Sequence, residues 1–515
     1  MKPLKIFIFF LIIMIIIGLL AYFYPEKGIS LGNKYTLTFP ALEDMVLEED
    51  KQYKDISNIV ENNPPTDTSI NFLKYSFRDT IPDDTIKATN KDSLTEKTKD
   101  TIKRTYKRKE RDIKSVRKLE YPEGNHSVLH PFFNSLQNDT QNELVRILHY
   151  GDSQIEGDRI SSYIRNQLQQ KFGGSGIGLF PAITPLSNSM SIKHKTTGNW
   201  TRYTIRDLKN SNFKHKRFGV LLSFSRYSPL YSNYQDKVYK ASINLNESPI
   251  GFDRASSYEN CKVFYGYNQK PLIIKLKEDN KVSDAEMIPS TDQLKTIKWK
   301  ISKETDELSI SFEGVHGPDI YGIALDGNKG VALDNIPLRG SSGTDFTKVD
   351  QKFYKNMFNK LNVSLIIMHF GVNIVPSNRE NYEFYQQQLY NQLKFLKSLD
   401  NNLAIIVMGV SDMSRKVDSH YESYPNIEKI RNAQKKAAFK ANCVFWDTFK
   451  AMGGKNSMPS WVFSDPPLAR KDFTHFTYKG SVVIAKMFYK ALINDYNEYQ
   501  KNNTQEMLSE KSTSE

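Results

Sequence analysis

The pattern of apolar and polar positions divides the chain into stretches of unlike texture. From Ile6 to Tyr24 the residues are apolar and uncharged without a break. Nineteen residues at about 1.5 Å each nearly match a hydrocarbon core of about 30 Å. The run ends in Ala21-Tyr22-Phe23-Tyr24, bulky where a signal peptidase needs small side chains, and no cysteine follows to carry a lipid. The pattern predicts an uncleaved signal anchor, a transmembrane helix, over 1–24. Residues 25–120 show no sustained periodicity and are rich in Asp, Thr and Lys. Such a composition cannot bury enough apolar surface to offset chain entropy, which predicts a disordered charged linker.

Order is expected from about Tyr121. Val145 to Tyr150 reads as a buried strand, and Ile160, Ile164 and Leu168 recur at helical spacing before Gly173-Gly174. From 187 to 334 the period changes to two, as in Thr296–Ile301 and Leu308–Glu313, which predicts an antiparallel β domain. Alternation of helix and strand then returns. Val363–Phe370, Leu403–Val410 and Cys443–Trp446 read as strands; Tyr382–Leu399, Ile427–Ala441 and Lys479–Tyr496 read as helices. Strands separated by helices imply βαβ units and a mostly parallel sheet. Residues 121–186 and 335–500 are therefore expected to form one α/β domain, interrupted by the β domain. The tail, 501–515, is expected to be disordered.

Charge changes this picture little. The net charge is +13, but nine basic and two acidic residues fall between Lys103 and Lys118, inside the linker. A folded basic face, and with it a nucleic-acid partner, is not expected. Two cysteines, Cys261 and Cys443, exclude a disulfide scaffold and a Cys-rich metal site, and are expected to be separate buried thiols. The histidines are scattered, so no metal and no cofactor are expected. Lys2 and Lys5 ahead of the apolar run orient the N-terminus inward and the rest of the chain outside the cytoplasm.

In open parallel sheets, chemistry collects at the carboxyl ends of the strands. Gly151-Asp152-Ser153, Gly371-Val372-Asn373 and the loop Arg470–Thr477 fall at such ends or just before the last helix. Ser153, His475 and Asp472 are the parts of a hydrolytic triad. Asp472 also suits a helix N-cap, Asn373 a turn, and Asp152 a structural hydrogen-bonding role. Gly174–Gly178 is glycine-rich but follows a helix, which argues against a phosphate loop.

At these residues the chain resembles the SGNH (GDSL-like) hydrolase family. Its Gly-Asp-Ser block matches Gly151-Asp152-Ser153, its Gly-x-Asn block Gly371-Val372-Asn373, and its Asp-x-x-His block Asp472-Phe473-Thr474-His475. Its loop glycine has two candidates, Gly340 and Gly343, of which Gly343 fits better. The chain departs at Gln154, where many members have Leu, and at Ile374, where many have an acidic residue. The resemblance implies a three-layer, flavodoxin-like α/β/α domain with Ser153 as nucleophile, His475 as base and Asp472 orienting the imidazole. It places the oxyanion among the Ser153 N–H, the Gly343 N–H and the Asn373 side-chain amide. It implies no metal and no cofactor.

A β domain between the first and second blocks resembles, in position alone, the peptidoglycan O-acetylesterase subgroup with its carbohydrate-binding-module-like, sandwich insert. Trp200, Tyr203, Tyr227, Tyr231, Tyr234, Tyr265 and Tyr267 are available as stacking faces for sugars, although most of them are expected to be core or ordinary surface. The expectation is a serine esterase, tethered to the cytoplasmic membrane with its catalytic part in the periplasm or other extracytoplasmic space. Its partner would be an acetylated envelope glycan. An O-acyltransferase using the same serine is the alternative, with a membrane-bound acyltransferase as a further candidate partner. A non-catalytic wall-binding or assembly protein is the third reading.

Overall fold

Along the strand Val363–His369, Leu365 and Ile367 enter one hydrophobic core while Ile366 and Met368 enter another. The same division holds for Ile147 against Leu148, and for Ile406 against Ile405 and Val407. A strand buried on both faces needs covering layers on both sides. The helices His130–Asn138, Ser161–Phe172 and Tyr478–Thr513 cover one face; Gln351–Leu361, Glu383–Lys397 and Ile427–Lys440 cover the other. The computed structural model describes residues 53–65 and 117–513, except 185–188, 210–214, 231–236 and 303–304, with a few more between 7 and 37.

The central sheet has five parallel strands in the spatial order Gly330–Pro337, Leu144–Gly151, Val363–His369, Ala404–Met408 and Val444–Trp446. Numbered along the chain this is 2-1-3-4-5, the doubly wound order whose switch point lies between the first and third strands. Gly151 and His369 are paired at that point. A Cβ on Gly151 would lie 2.9 Å from the His369 carbonyl oxygen, so only glycine lets the chain leave the strand this close to its neighbour.

The insert is a sandwich of two antiparallel sheets. One orders Lys281–Ile288, Leu272–Glu278, Glu307–Gly314, Tyr239–Glu247 and Ile192–Thr197; the other is built on Thr291–Lys300, Asn260–Asn268 and Asp319–Asp326. Ile243, Ile274, Ile310 and Phe312 from the first meet Val263, Trp299, Ile320 and Ile323 from the second in a core of their own. Part of the outer face of the second sheet is covered: Phe224, Phe264 and Tyr321 join a core of the α/β domain with Phe353 and Met357, while Thr296, Lys298 and Lys300 are exposed.

Four expectations are corrected. The β domain was bounded at 187–334, but the strand Gly178–Phe180 already pairs with its sheet, and Gly330–Pro337 belongs to the parallel sheet. The linker 25–120 is expected to be largely disordered, yet Ser57–Asn62 is helical, Ile56 is buried in a core of the α/β domain, and Tyr53 stacks on Phe463. Lys486 and Lys490 donate to the carbonyls of Pro64 and Asn62. Order also resumes earlier than Tyr121: Leu119 is buried and Glu120 bridges to Phe445. Finally, the last helix continues to Thr513, through the expected tail. Of the apolar run Ile6–Tyr24, residues 7–13, 15–16 and 19 are described, as helix, and among the described residues no helix is long and apolar enough to cross a membrane. Cys261 and Cys443 are free and buried.

One buried ion cluster joins the insert to the α/β domain. Arg146, on the first parallel strand, reaches Asp334 on the second and Asp326 on the insert, each at 2.5 Å, with all three side chains at most 1% exposed. Asp334 also accepts the Leu179 N–H. Burial pushes the Asp334 carboxyl up to about 6 against the pull of Arg146. Arg146→Ala would strand two carboxylates in the interior and should cost roughly 3–5 kcal/mol in urea denaturation. A loss under about 1 kcal/mol would show that the cluster does not hold the two units together.

Candidate active site

The loop after the first parallel strand is short and held at many points. Asp152 is buried; its Oδ1 accepts the Gln154 N–H at 3.0 Å and its Oδ2 the Gly371 N–H at 3.2 Å. One carboxylate thus ties the Ser153 turn to the loop that carries Asn373. Burial pushes this carboxyl up to about 6, opposed by bonds from Gln154 and Gly371 and by His475. An unfolded carboxyl titrates near 3.8. Ionising Asp152 therefore costs folding stability as pH rises through about 6, and the clamp is retained at that cost.

Ser153 is half-buried at the start of this loop. Its Oγ lies 2.8 Å from His475 Nε2. On the other side of the ring, Nδ1 lies 2.7 Å from Asp472 Oδ2. Asp472 Oδ1 accepts the N–H groups of Thr474 and His475. The residue is thus both turn cap and imidazole partner. Burial acts to raise its carboxyl, but the bonds from the His475 ring and backbone outweigh it, and the net shift is below the ordinary value. The carboxylate form persists at neutral pH, and its stabilising contribution is lost only as pH falls through that lowered value. Tyr421 stacks on Phe473 with ring centroids 3.5 Å apart, backing the loop.

Three blocks distant in sequence therefore meet. The other two named residues meet one another at Ser341. Asn373 is exposed, and its Nδ2 donates to the Ser341 carbonyl at 2.9 Å. The Gly343 N–H donates to Ser341 Oγ at 3.1 Å. Gly343 has φ +79° and packs against Phe370 at the exit of the third strand. Gly340 instead faces the Arg206 guanidinium of the insert. Of the two glycines, Gly343 is the one beside the Asn373 loop.

Sequence reasoning missed the residues that lock nucleophile to base. Gln154 is buried; its Nε2 donates to the Thr474 carbonyl at 2.7 Å and its Oε1 accepts the Phe476 N–H at 3.3 Å. These bonds bracket His475. Arg159 donates to the carbonyls of Ser153 and Phe476, at 2.8 and 3.1 Å. Arg339, at the exit of the second strand, makes a two-toothed pair with the buried Glu156 carboxylate, both at 2.7 Å. The only sequence signal was Gln154 itself, a polar side chain where an apolar one is usual. The candidate sugar faces of the insert fare differently. Tyr227 and Tyr265 are buried, Trp200 packs on Tyr227 and Phe312, and Arg217 covers Tyr267 at 3.7 Å. Tyr203 stacks on Phe224. Tyr231 and Tyr234 lie outside the described residues.

Neither a family model nor a curated protein sequence matches the chain. Among solved structures, a peptidoglycan O-acetylesterase superposes with a TM-score of 0.57 at 20% identity, over 74% of this chain and 99% of that one. A salicylyl-acyltransferase from a tetracycline biosynthetic pathway gives 0.27 at 9% identity, over 58% of this chain and 97% of that one. A family two carbohydrate esterase from Clostridium thermocellum gives 0.25 at 8% identity, over 50% and 93%. The last two scores are too low to carry an argument. The first shows a shared fold.

The geometry makes Ser153 a hydroxyl with a base in contact. A fluorophosphonate probe should label Ser153, as read by peptide mass spectrometry, and Ser153→Ala or His475→Ala should abolish labelling. Gln154→Leu should slow labelling by about 10- to 100-fold, since displacing the imidazole by about 1 Å costs on that order. Labelling of Gln154→Leu at the wild-type rate would show that the bracket does not position the base.

Proposed function

We propose that this chain is a serine esterase that removes O-acetyl groups from a cell-envelope glycan such as peptidoglycan. The observation that carries the reading is the unbroken chain from Asp472 through His475 to Ser153, at 2.7 and 2.8 Å, at the switch point of the sheet. The fold shared with a peptidoglycan O-acetylesterase supports the substrate class.

In this reading Ser153 Oγ attacks the acetyl carbonyl carbon while His475 Nε2 takes the hydroxyl proton. Asp472 holds the Nδ1 proton and stabilises the imidazolium. Collapse of the tetrahedral species breaks the ester bond, and His475 returns its proton to the departing sugar oxygen. Water then repeats the sequence on the acetyl-serine and releases acetate. The oxyanion is assigned to the N–H groups of Ser153 and Gly343 and the Asn373 amide. Asn373 Nδ2 carries two protons, and the Ser341 carbonyl takes one of them. The Gly343 N–H must leave Ser341 Oγ or share itself between two acceptors when substrate binds. The apolar run Ile6–Tyr24, preceded by Lys2 and Lys5, supports anchoring in the cytoplasmic membrane with this site on the outer side.

Acetate release from O-acetylated peptidoglycan tests the reading. Ser153→Ala should abolish release, and His475→Ala should be nearly as damaging because the two act as a unit. Asn373→Ala should lower kcat by roughly 10²–10³ with a smaller change in KM. Asp472→Ala should cost less than either of the first two. Full release by Ser153→Ala would overturn the esterase reading. No release, but acetylation of a glycan when an acetyl donor is supplied, would replace it with a transferase.

A further inference from the structure

Beside the candidate active site lies a groove of about 800 Å³. Ser342 and Thr344, which flank Gly343, form part of its wall, and Ile374, next to Asn373, forms another part. The groove therefore shares a wall with the loops assigned to the oxyanion. Lys209, Lys348 and Arg379 place three cations on its lining against the single carboxylate of Glu380. Lys348 is paired with Asp345, which leaves Arg379 and Lys209 as the cations best placed to meet an incoming anion. The lining also carries Phe384, in the first turn of the helix Glu383–Lys397, with 70% of its surface in water. An exposed ring on the wall of a groove that adjoins the candidate active site offers a face to a ligand bound there. A flat aromatic face suits the apolar C–H face of a sugar ring, and a guanidinium suits a carboxylate.

We propose that this groove binds a carboxylate-bearing segment of a glycan, with a sugar ring on Phe384 and carboxylates at Arg379 and Lys209. The inference rests on the esterase reading for where the ester sits; the groove itself is defined by its own lining. It favours an anionic glycan, because carboxylates would complement the cations of the lining. It also moves glycan recognition from the aromatic residues of the insert, which are mostly packed away, to the hydrolase domain.

Binding to probes without acetyl groups tests this without turnover. A peptidoglycan disaccharide keeping its lactyl carboxylate and stem peptide is compared with chitotetraose, which has similar rings and no carboxylate. Calorimetry on the full chain should give at least about tenfold tighter binding of the first, and most of that margin should vanish in about 0.5 M salt. Arg379→Glu should weaken the peptidoglycan fragment by about fivefold or more and chitotetraose by less than about twofold, whereas Arg379→Lys should keep most of the affinity. Phe384→Ala should weaken both probes. Equal affinities, no binding of either probe, or an Arg379→Glu chain that binds like wild type would each overturn the proposal. A chain that binds as expected yet releases no acetate would sink the esterase reading while supporting the groove.

Discussion

The site depends on one buried carboxylate. Asp152 accepts N–H groups from Gln154 and Gly371, so the turn bearing Ser153 and the loop bearing Asn373 move as one body. The close approach exists because two parallel strands end side by side and because Gly151 lacks a Cβ that would strike the His369 carbonyl. A buried carboxylate is costly, as its raised titration shows, and a fold keeps such a group only where it satisfies donors that would otherwise be stranded.

The base reaches the nucleophile through a second set of bonds. Gln154 brackets His475, and Arg159 spans the carbonyls on either side of the contact. The catalytic loop is therefore braced from both the nucleophile turn and the Tyr421–Phe473 stack. Rigid support of this kind keeps reacting groups at productive distance without relying on the exposed Asp472 alone. The insert is similarly fixed: its second sheet shares a core with the α/β domain, and Arg146 ties Asp326 to Asp334.

What could be read from the chain was local chemistry and period. The strand Val363–His369 is apolar apart from Ser364 and His369, and Asp472 and His475 sit three apart in one loop, so both were legible without a structure. The boundaries of the insert were not. Gly178–Phe180 and Gly330–Pro337 are short segments whose sheet is decided by pairing with residues far along the chain. Ser57–Asn62 was missed because six residues have little helical tendency of their own; Ile56 and the Lys486 and Lys490 contacts hold them. The role of Gln154 was hidden for the same reason, since its partners lie some 320 positions away. The described aromatic candidates of the insert mostly pack, as expected, because sandwich strands use such side chains for packing as readily as for binding.

The central claim is that Ser153 forms a covalent acetyl intermediate with His475 as its base. Rapid acid quenching of the wild-type chain during turnover of an activated acetyl ester, followed by peptide mass spectrometry, tests it directly. The account predicts an acetyl adduct on the peptide containing Ser153, accumulating before steady state and absent from His475→Ala. Steady acetate release with no adduct on that peptide, or an adduct confined to another residue, would contradict it.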